Sequence, residues 1–287
     1  MGIENRIKRM EMAPSRQGEG VLTDLHNHIS KATSIQDLLQ LSTHGILGVT
    51  NHAVMRETYN YEEMLQVLNK EAINNSRVNV NEIEPGLAMV QYETPIGEKR
   101  QGYILKTTEF FADRSHIVSF GGFEPNCHSD KDQIRRLNEA GATTISAHPY
   151  LLNRPKNVMI QPIKNPSEEI EKEIEEVAEL THLVEAFNGQ LGMYKHVNDS
   201  AEELAKRMGK QAISTTDGHP FQKAEFTNGV YVPIPEQGLT IDNLSKSLRS
   251  GDFVRAENQY LPIKKLIPSL VLATGKEGYN RLRRKRN

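Results

Sequence analysis

Two histidines two residues apart can do chemistry that one alone cannot, and the run Asp24-Leu25-His26-Asn27-His28 contains such a pair. Side chains at i and i+2 of an extended chain share a face, so His26 and His28 can reach one ion together. The pattern recurs along the chain. Thr50-Asn51-His52, Ala147-His148-Pro149 and Thr216-Asp217-Gly218-His219 each place a histidine just after a short run of strand-forming residues, and Asp217 and His219 are again two apart. Glu93 follows the run Leu87–Tyr92, and His116 opens the run His116–Phe120. A single histidine at a strand end is an ordinary capping or surface residue, but the joint pattern reads as a ligand set. Neutral imidazoles with carboxylates suit Zn²⁺, Mn²⁺ or Fe²⁺. The single cysteine, Cys127, rules out a thiolate-rich structural zinc site and reads as a loop or buried residue beside His128. No Gly-x-Ser-x-Gly elbow and no Walker-type loop is present, so a covalent serine nucleophile and a P-loop are not expected.

These residues need elements that bring them together. Strand-like runs at Val21–Leu25, Ile46–Thr50, Leu87–Tyr92, His116–Phe120, Thr143–Ala147, Leu183–Phe187 and Ala212–Thr216 alternate with helical stretches at Ser34–Thr43, Tyr61–Asn74, Asp130–Ala140, Pro166–Thr181 and Asn198–Met208. Such alternation predicts parallel strands with right-handed crossovers. Seven units suggest a closed or nearly closed α/β barrel, whose strand C-termini converge on one face. The segment 88–123 breaks the rhythm and predicts a β insertion, with Tyr103–Lys106 as a strand-like piece. A strand at Val230–Pro233, a helix near 240–250 and Phe253–Ala256 read as a closing appendix. The chain divides into an N-terminal arm (1–20), a barrel with its appendix (21–265), and a C-terminal helix and basic tail (266–287). That tail carries five basic residues in its last seven.

Composition limits the partners. The formal net charge of −2 gives no bulk attraction to nucleic acid, and no apolar run is long enough to span a bilayer. The first twenty residues lack the apolar core of a signal peptide, and the lone cysteine fits a reducing compartment, so a cytoplasmic protein is expected. Oligomeric state is not legible, because no heptad and no exposed apolar stripe stands out.

In order and spacing, the motifs DLHNH, TNH, AHP and TTDGH resemble those of the PHP superfamily, named for polymerase and histidinol phosphatase, over roughly residues 22–225. The resemblance implies a distorted (β/α)7, TIM-like barrel and a two- or three-metal site that hydrolyses phosphoesters. It implies that His26, His28, Asp217 and a bridging Glu93 hold a first ion, that His116 and His148 hold a second with Glu93 shared, and that His52 and His219 hold a third. Glu93 is chosen over Glu82, Glu84 and Glu98 because it ends a strand, and His128 competes with His116. Asp24, Glu93 and Asp217 are the candidate catalytic carboxylates, with Asp24 more suited to orienting a ligand histidine. Asn51 stands where relatives often carry Asp, which weakens the third site.

The function expected is hydrolysis of a small phosphomonoester by hydroxide that a bound ion supplies at neutral pH. Arg154 and Lys156 after AHP, Lys223 after TTDGHP, and Asn188 after Leu183–Phe187 are the candidate substrate contacts. One alternative is a nuclease or nucleoside-bisphosphate phosphatase acting on short oligonucleotides. Another is a metal-binding regulatory domain with little turnover. An amidohydrolase would call for a bridging lysine on a middle strand, which the sequence does not offer.

Overall fold

The computed structural model describes residues 20–52, 57–122, 131–154, 157–218 and 228–260. In chain order these form β1 (Val21–Asp24), α1 (Ile35–Ser42), β2 (Ile46–His52), α2 (Tyr61–Asn74), β3 (Val78–Glu84), β4 (Leu87–Glu93), β5 (Lys99–Ala112), β6 (Ser115–Phe120) and α3 (Lys131–Glu139). There follow β7 (Thr143–Ala147), β8 (Leu151–Arg154), β9 (Asn157–Pro162), α4 (Glu168–Leu180), β10 (Leu183–Asn188), a 3-10 turn (Gly189–Met193) and α5 (Lys195–Met208). The described chain ends with β11 (Gln211–Thr215), β12 (Val230–Val232), α6 (Ile241–Ser250) and β13 (Val254–Arg255).

The molecule is a mixed α/β fold built on a nearly closed, barrel-like sheet. The strand order is β11-β10-β7-β6-β5-β2-β1-β12-β13, with β4 branching from β5 and β3 from β4. The ends of β1 and β11 meet in a parallel bridge between Asn27 and Gly218, which closes the ring at that end. Around the ring every neighbouring pair is parallel except the two involving β6, which runs antiparallel to both β5 and β7.

Alternation along the strands builds the core. Ile46 of β2 faces the barrel interior, while Leu47 and Val49 pack outward against α1 and α2. Val118 and Phe120 of β6 face inward and Ile117 outward. Gly48 shares the inward face with Ile46, and a Cβ there would come within 2.6 Å of the Leu25 carbonyl, so only glycine fits. The helices start where short polar side chains cap them. Ser34 accepts from Asp37 N, Asn60 and Glu63 form a reciprocal capping box, and Ser167 accepts from Ile170 N.

Six of the seven expected strand runs coincide with ring strands. Leu87–Tyr92 does not; it is β4, outside the ring. The ring strand in its place is β5, of which Tyr103–Lys106 is only a part. The first four residues of β5, Lys99-Arg100-Gln101-Gly102, are polar where the strand forms a hairpin-like wing with β4, and from Tyr103 onward it pairs with β2 in the barrel. No helix among the described residues is long and apolar enough to cross a membrane.

Candidate metal centre

At one end of the ring the inward-facing positions change from apolar to titratable. His26 and His28 follow β1, Glu109 lies in β5 opposite the backbone of His52 in β2, His148 follows β7, Glu185 lies in β10 and Asp217 follows β11. His116 sits at the start of β6, across from Ala147. Because β6 is reversed, its beginning lies at the same end as the C-termini of its neighbours. A histidine that opens a strand therefore joins histidines that close theirs. All these side chains are buried.

The first cluster comprises His26, His28, Asp217 and Glu109. His26 Nε2 and His28 Nε2 are 3.3 Å apart, and Asp217 Oδ1 lies 3.5 and 3.6 Å from them. Glu109 Oε2 lies 3.7 and 3.2 Å from the same two nitrogens. Four donors at ~2.05 Å around a tetrahedral ion would stand about 3.3 Å from one another, so the spacing fits such a set. The tautomers fit as well. His28 Nδ1 donates to the Thr50 carbonyl at 3.3 Å and His26 Nδ1 donates to Glu185 Oε1 at 2.9 Å. Both Nε2 atoms thereby face each other and the carboxylates of Asp217 and Glu109, a donor set that a cation would fit.

Glu109 also forms part of a second cluster. Its other oxygen, Oε1, lies 2.5 Å from His116 Nδ1 and 3.7 Å from His148 Nε2. His116 Nε2 and His148 Nδ1 are buried and have no hydrogen-bond partner among the described residues. The four rings are contiguous, with His26 stacked on His148 at 5.7 Å and His148 edge-on to His116 at 4.6 Å. Together these buried groups could hold metal ions. A third grouping, His26, His148 and Glu185, reads better as support, because Glu185 already engages His26 Nδ1 and accepts from His148 N at 2.7 Å.

A layer of hydrogen bonds fixes the ligands. Glu185 accepts additionally from Thr215 Oγ1 and from Asn188 Nδ2 at 3.1 Å. Asn188 Nδ2 also donates to Asp217 Oδ2 at 2.8 Å, and Gln190 Nε2 donates to the Asp217 carbonyl. Asp217 and His148 both adopt positive φ, 50° and 29°, which non-glycine residues keep only where surrounding contacts impose it. Asp24 lies beneath this layer. Its carboxylate receives Thr216 N at 3.1 and 3.2 Å and stitches β1 to the end of β11, where Asp217 N donates to the His26 carbonyl at 2.8 Å.

The electrostatics have the sign of a cation site. Burial alone would keep His26 neutral, but Asp217, Glu185 and Glu109 outweigh it and raise its pKa well above the usual histidine value. Burial opposes the charge on Glu109, yet His116, His148 and His26 hold its carboxyl well below the usual range. His148 is raised despite burial, by Glu109, Glu185 and Asp217. His116 is lowered, because burial and the neighbouring His148 and His26 outweigh Glu109. Burial pushes Asp24 up to about 7 against the hydrogen bonds from Thr216, Asn27 and His26.

Of the residues singled out in the sequence, the structure brings together His26, His28, His116, His148 and Asp217. Glu93 is a correction. It ends β4 opposite Lys99, and Glu109 lies ten residues further along β5, roughly 30 Å of extended strand away. The other acids weighed for that role are engaged elsewhere. Glu82 accepts from Tyr61 and Gly86 N, Glu84 caps Ile241 N, and Glu98 pairs with Arg100. Asn188 is also reassigned. Its amide group is committed to Glu185, Asp217 and Gln190 N, so it positions carboxylates and does not line a substrate pocket. Asp24 contacts backbone N–H groups of the seam and is a staple, not a member of the clusters. The side chains of His52 and Arg154, and all of His219, Lys156, Lys223, Cys127 and His128, lie outside the described residues. Glu109 and Glu185 were missed. The signal for both is a lone carboxylate inside a strand-forming run, Thr107-Thr108-Glu109-Phe110-Phe111 and Leu183-Val184-Glu185-Ala186-Phe187.

No protein-family profile matches the chain, and no curated protein matches it. Among solved structures the chain is similar to PsfC from Pseudomonas syringae PB-5123, with a TM-score of 0.51 and 12% sequence identity over 91% of this chain and 99% of that one. At that identity the likeness concerns the fold alone.

Proposed function

We propose that the chain is a metal-dependent phosphoesterase of the PHP type, its ring a distorted (β/α)7, TIM-like barrel, acting on a small phosphomonoester. The observation that carries the reading is Glu109, a buried carboxylate that presents one oxygen to His26 and His28 and the other to His116 and His148. A carboxylate shared in this way could serve as a ligand to two divalent ions. His26, His28, Asp217 and Glu109 would hold one, and Glu109, His116 and His148 the other. Divalent ions so placed would lower the pKa of a water and neutralise phosphoryl charge. The chain's own part is to present the ligands in fixed tautomers, through Glu185 and the Thr50 carbonyl, and to keep three carboxylates dry. Arg154 and Lys156, which follow the AHP motif in the sequence, are the cations proposed to meet the phosphate.

The test is phosphate release from sugar phosphates, nucleoside monophosphates, 3′,5′-bisphosphates, histidinol phosphate and short 5′-phosphorylated oligonucleotides, each with Mn²⁺ or Zn²⁺ and again with excess chelator. Chelator-sensitive release from a monoester supports the reading. Release from oligonucleotides alone shifts the activity to a nuclease. Ion binding with no turnover of any substrate overturns the esterase reading and leaves a metal-binding domain.

A further inference from the structure

The segment after β13, Ala256–Tyr260, does not leave the molecule but runs back along the barrel toward the candidate metal centre. Ala256 N donates to the Gly229 carbonyl at 3.0 Å, and Ser214 Oγ donates to Asn258 Oδ1 at 2.8 Å. Asn228 reads the backbone of Gln259 as a paired strand would, donating to its carbonyl at 2.9 Å and accepting from its N–H at 2.8 Å. Asn228 N in turn donates to Thr216 Oγ1, one residue before Asp217, at 3.2 Å. The fit is close enough that a Cβ on Gly189 would collide with the Asn228 side chain.

The segment ends on a relay of amides. Tyr260 packs its ring on Phe187 at 4.8 Å, under Lys195 Nζ at 5.1 Å. Its hydroxyl accepts from Asn198 Nδ2 at 3.4 Å. The same Asn198 amide clasps the backbone of Asn188 from both sides, accepting from its N–H and donating to its carbonyl, each at 3.1 Å. Asn188 then holds Asp217 Oδ2 and Glu185 Oε2. Asn188, Asn198 and Asn228 are all buried.

We infer that Ala256–Tyr260 is a strap that positions Asp217 for ion binding through Asn198 and Asn188, which makes Asn198 and Tyr260 positioning residues of the centre. The strap rests on the metal reading above. Its logic is geometric. Asp217 sits on a left-handed backbone at the seam between β1 and β11, where its N–H meets the His26 carbonyl, and the relay through Asn188 holds its side chain.

The experiment is a titration of the full chain with Mn²⁺ and with Zn²⁺, by calorimetry, alongside thermal unfolding of the ion-free protein. Asn198→Ala is expected to weaken one of two bound ions about 10-fold, in the range for removing a group that orients a ligand. Tyr260→Ala is expected to weaken the same ion by a smaller factor, and Tyr260→Phe, which keeps the ring on Phe187 but removes the hydroxyl that Asn198 meets, to weaken it less again. Asn138→Ala serves as the control. It removes a partly buried tie from α3 to Leu180 and Thr144, away from the centre, and should lower the thermal midpoint with no change in ion affinity. Asn198→Ala and Tyr260→Ala behaving like Asn138→Ala overturns the strap. If Asn198→Ala does not fold, Tyr260→Ala decides alone. A parent chain that binds neither ion sinks the metal reading, and the strap with it.

Discussion

The two ends of the barrel interior are lined by the same strands in the same alternation, yet by opposite kinds of residue. At the floor, Ile46, Phe120, Ile145, Leu183 and Ile213 meet in one apolar cluster. A few residues along the same strands, the rim is lined by Thr50, Glu109, His116, His148, Glu185 and Asp217. The floor is packed and its strands are regularly paired. The rim buries titratable groups, holds two non-glycine residues at positive φ and carries the register shift of β10 between Glu185 and Phe187. The difference teaches where the fold keeps its stability and where it keeps its chemistry. The apolar end can hold the ring together while the polar end stays close-packed with groups that favour a cation over one another.

Substitutions at the two ends should therefore fail in different assays. The largest effect is expected at Glu109, which both clusters share. Glu109→Gln should lower phosphoester turnover by about 10²–10³-fold, the size seen when one strong electrostatic stabiliser is lost. It should also weaken both ions in a titration, whereas His28→Ala should weaken only one. Equal loss of a single ion in both variants would show that Glu109 is not shared. At the floor, Leu183→Ala should cost about 2–5 kcal/mol in denaturant unfolding and leave ion affinity as it was. A Leu183→Ala protein of normal stability but altered ion binding would erase the distinction between the ends. Glu185→Gln, back at the rim, tests a residue that touches the ligands without being placed among them. It should weaken ion binding about 10- to 100-fold by freeing the His26 ring. An unchanged titration would make the Glu185–His26 bond an idle contact.

Much of this division was legible in the sequence. Histidines just beyond short β-branched runs mark strand ends, and His26, His28, His148 and Asp217 were found that way. The shared carboxylate is not marked by a strand end. Glu109 lies within a fourteen-residue strand, three residues before its end, since β5 continues past the rim to pair with the reversed β6. Its polar start, Lys99-Arg100-Gln101-Gly102, hid that strand, because a wing paired with β4 needs no apolar face there. The reversal of β6 was also illegible: periodicity gives a strand its faces and says nothing about its direction. Likewise the amide relay from Tyr260 to Asn188 joins residues far apart in sequence, and asparagine in a helix or turn carries no mark of what it will hold.

The smallest effect belongs to a histidine at the floor, which separates burial of a titratable group from function. His182 precedes β10, and its Nδ1 accepts from Thr144 N at 3.2 Å, so the ring is held neutral. Burial, with Arg249 and Lys210 nearby, lowers its pKa from 6.5 to about 4. The folded chain thus binds this proton less readily than the unfolded chain does. The contribution to stability is complete above pH 6.5 and is lost as pH falls toward 4. The His26 ring at the rim is shifted in the opposite direction by its carboxylates, although both rings lose water on folding. His182→Gln keeps an acceptor for Thr144 N and cannot titrate. The gap in thermal midpoint between parent and His182→Gln should therefore move in favour of the variant as the buffer is taken from pH 7 to pH 4.5, with ion affinity at pH 7 untouched. A gap that stays constant across that range would mean that the floor histidine is protonated as easily folded as unfolded, and that the neutral ring bound to Thr144 is not the state that holds there.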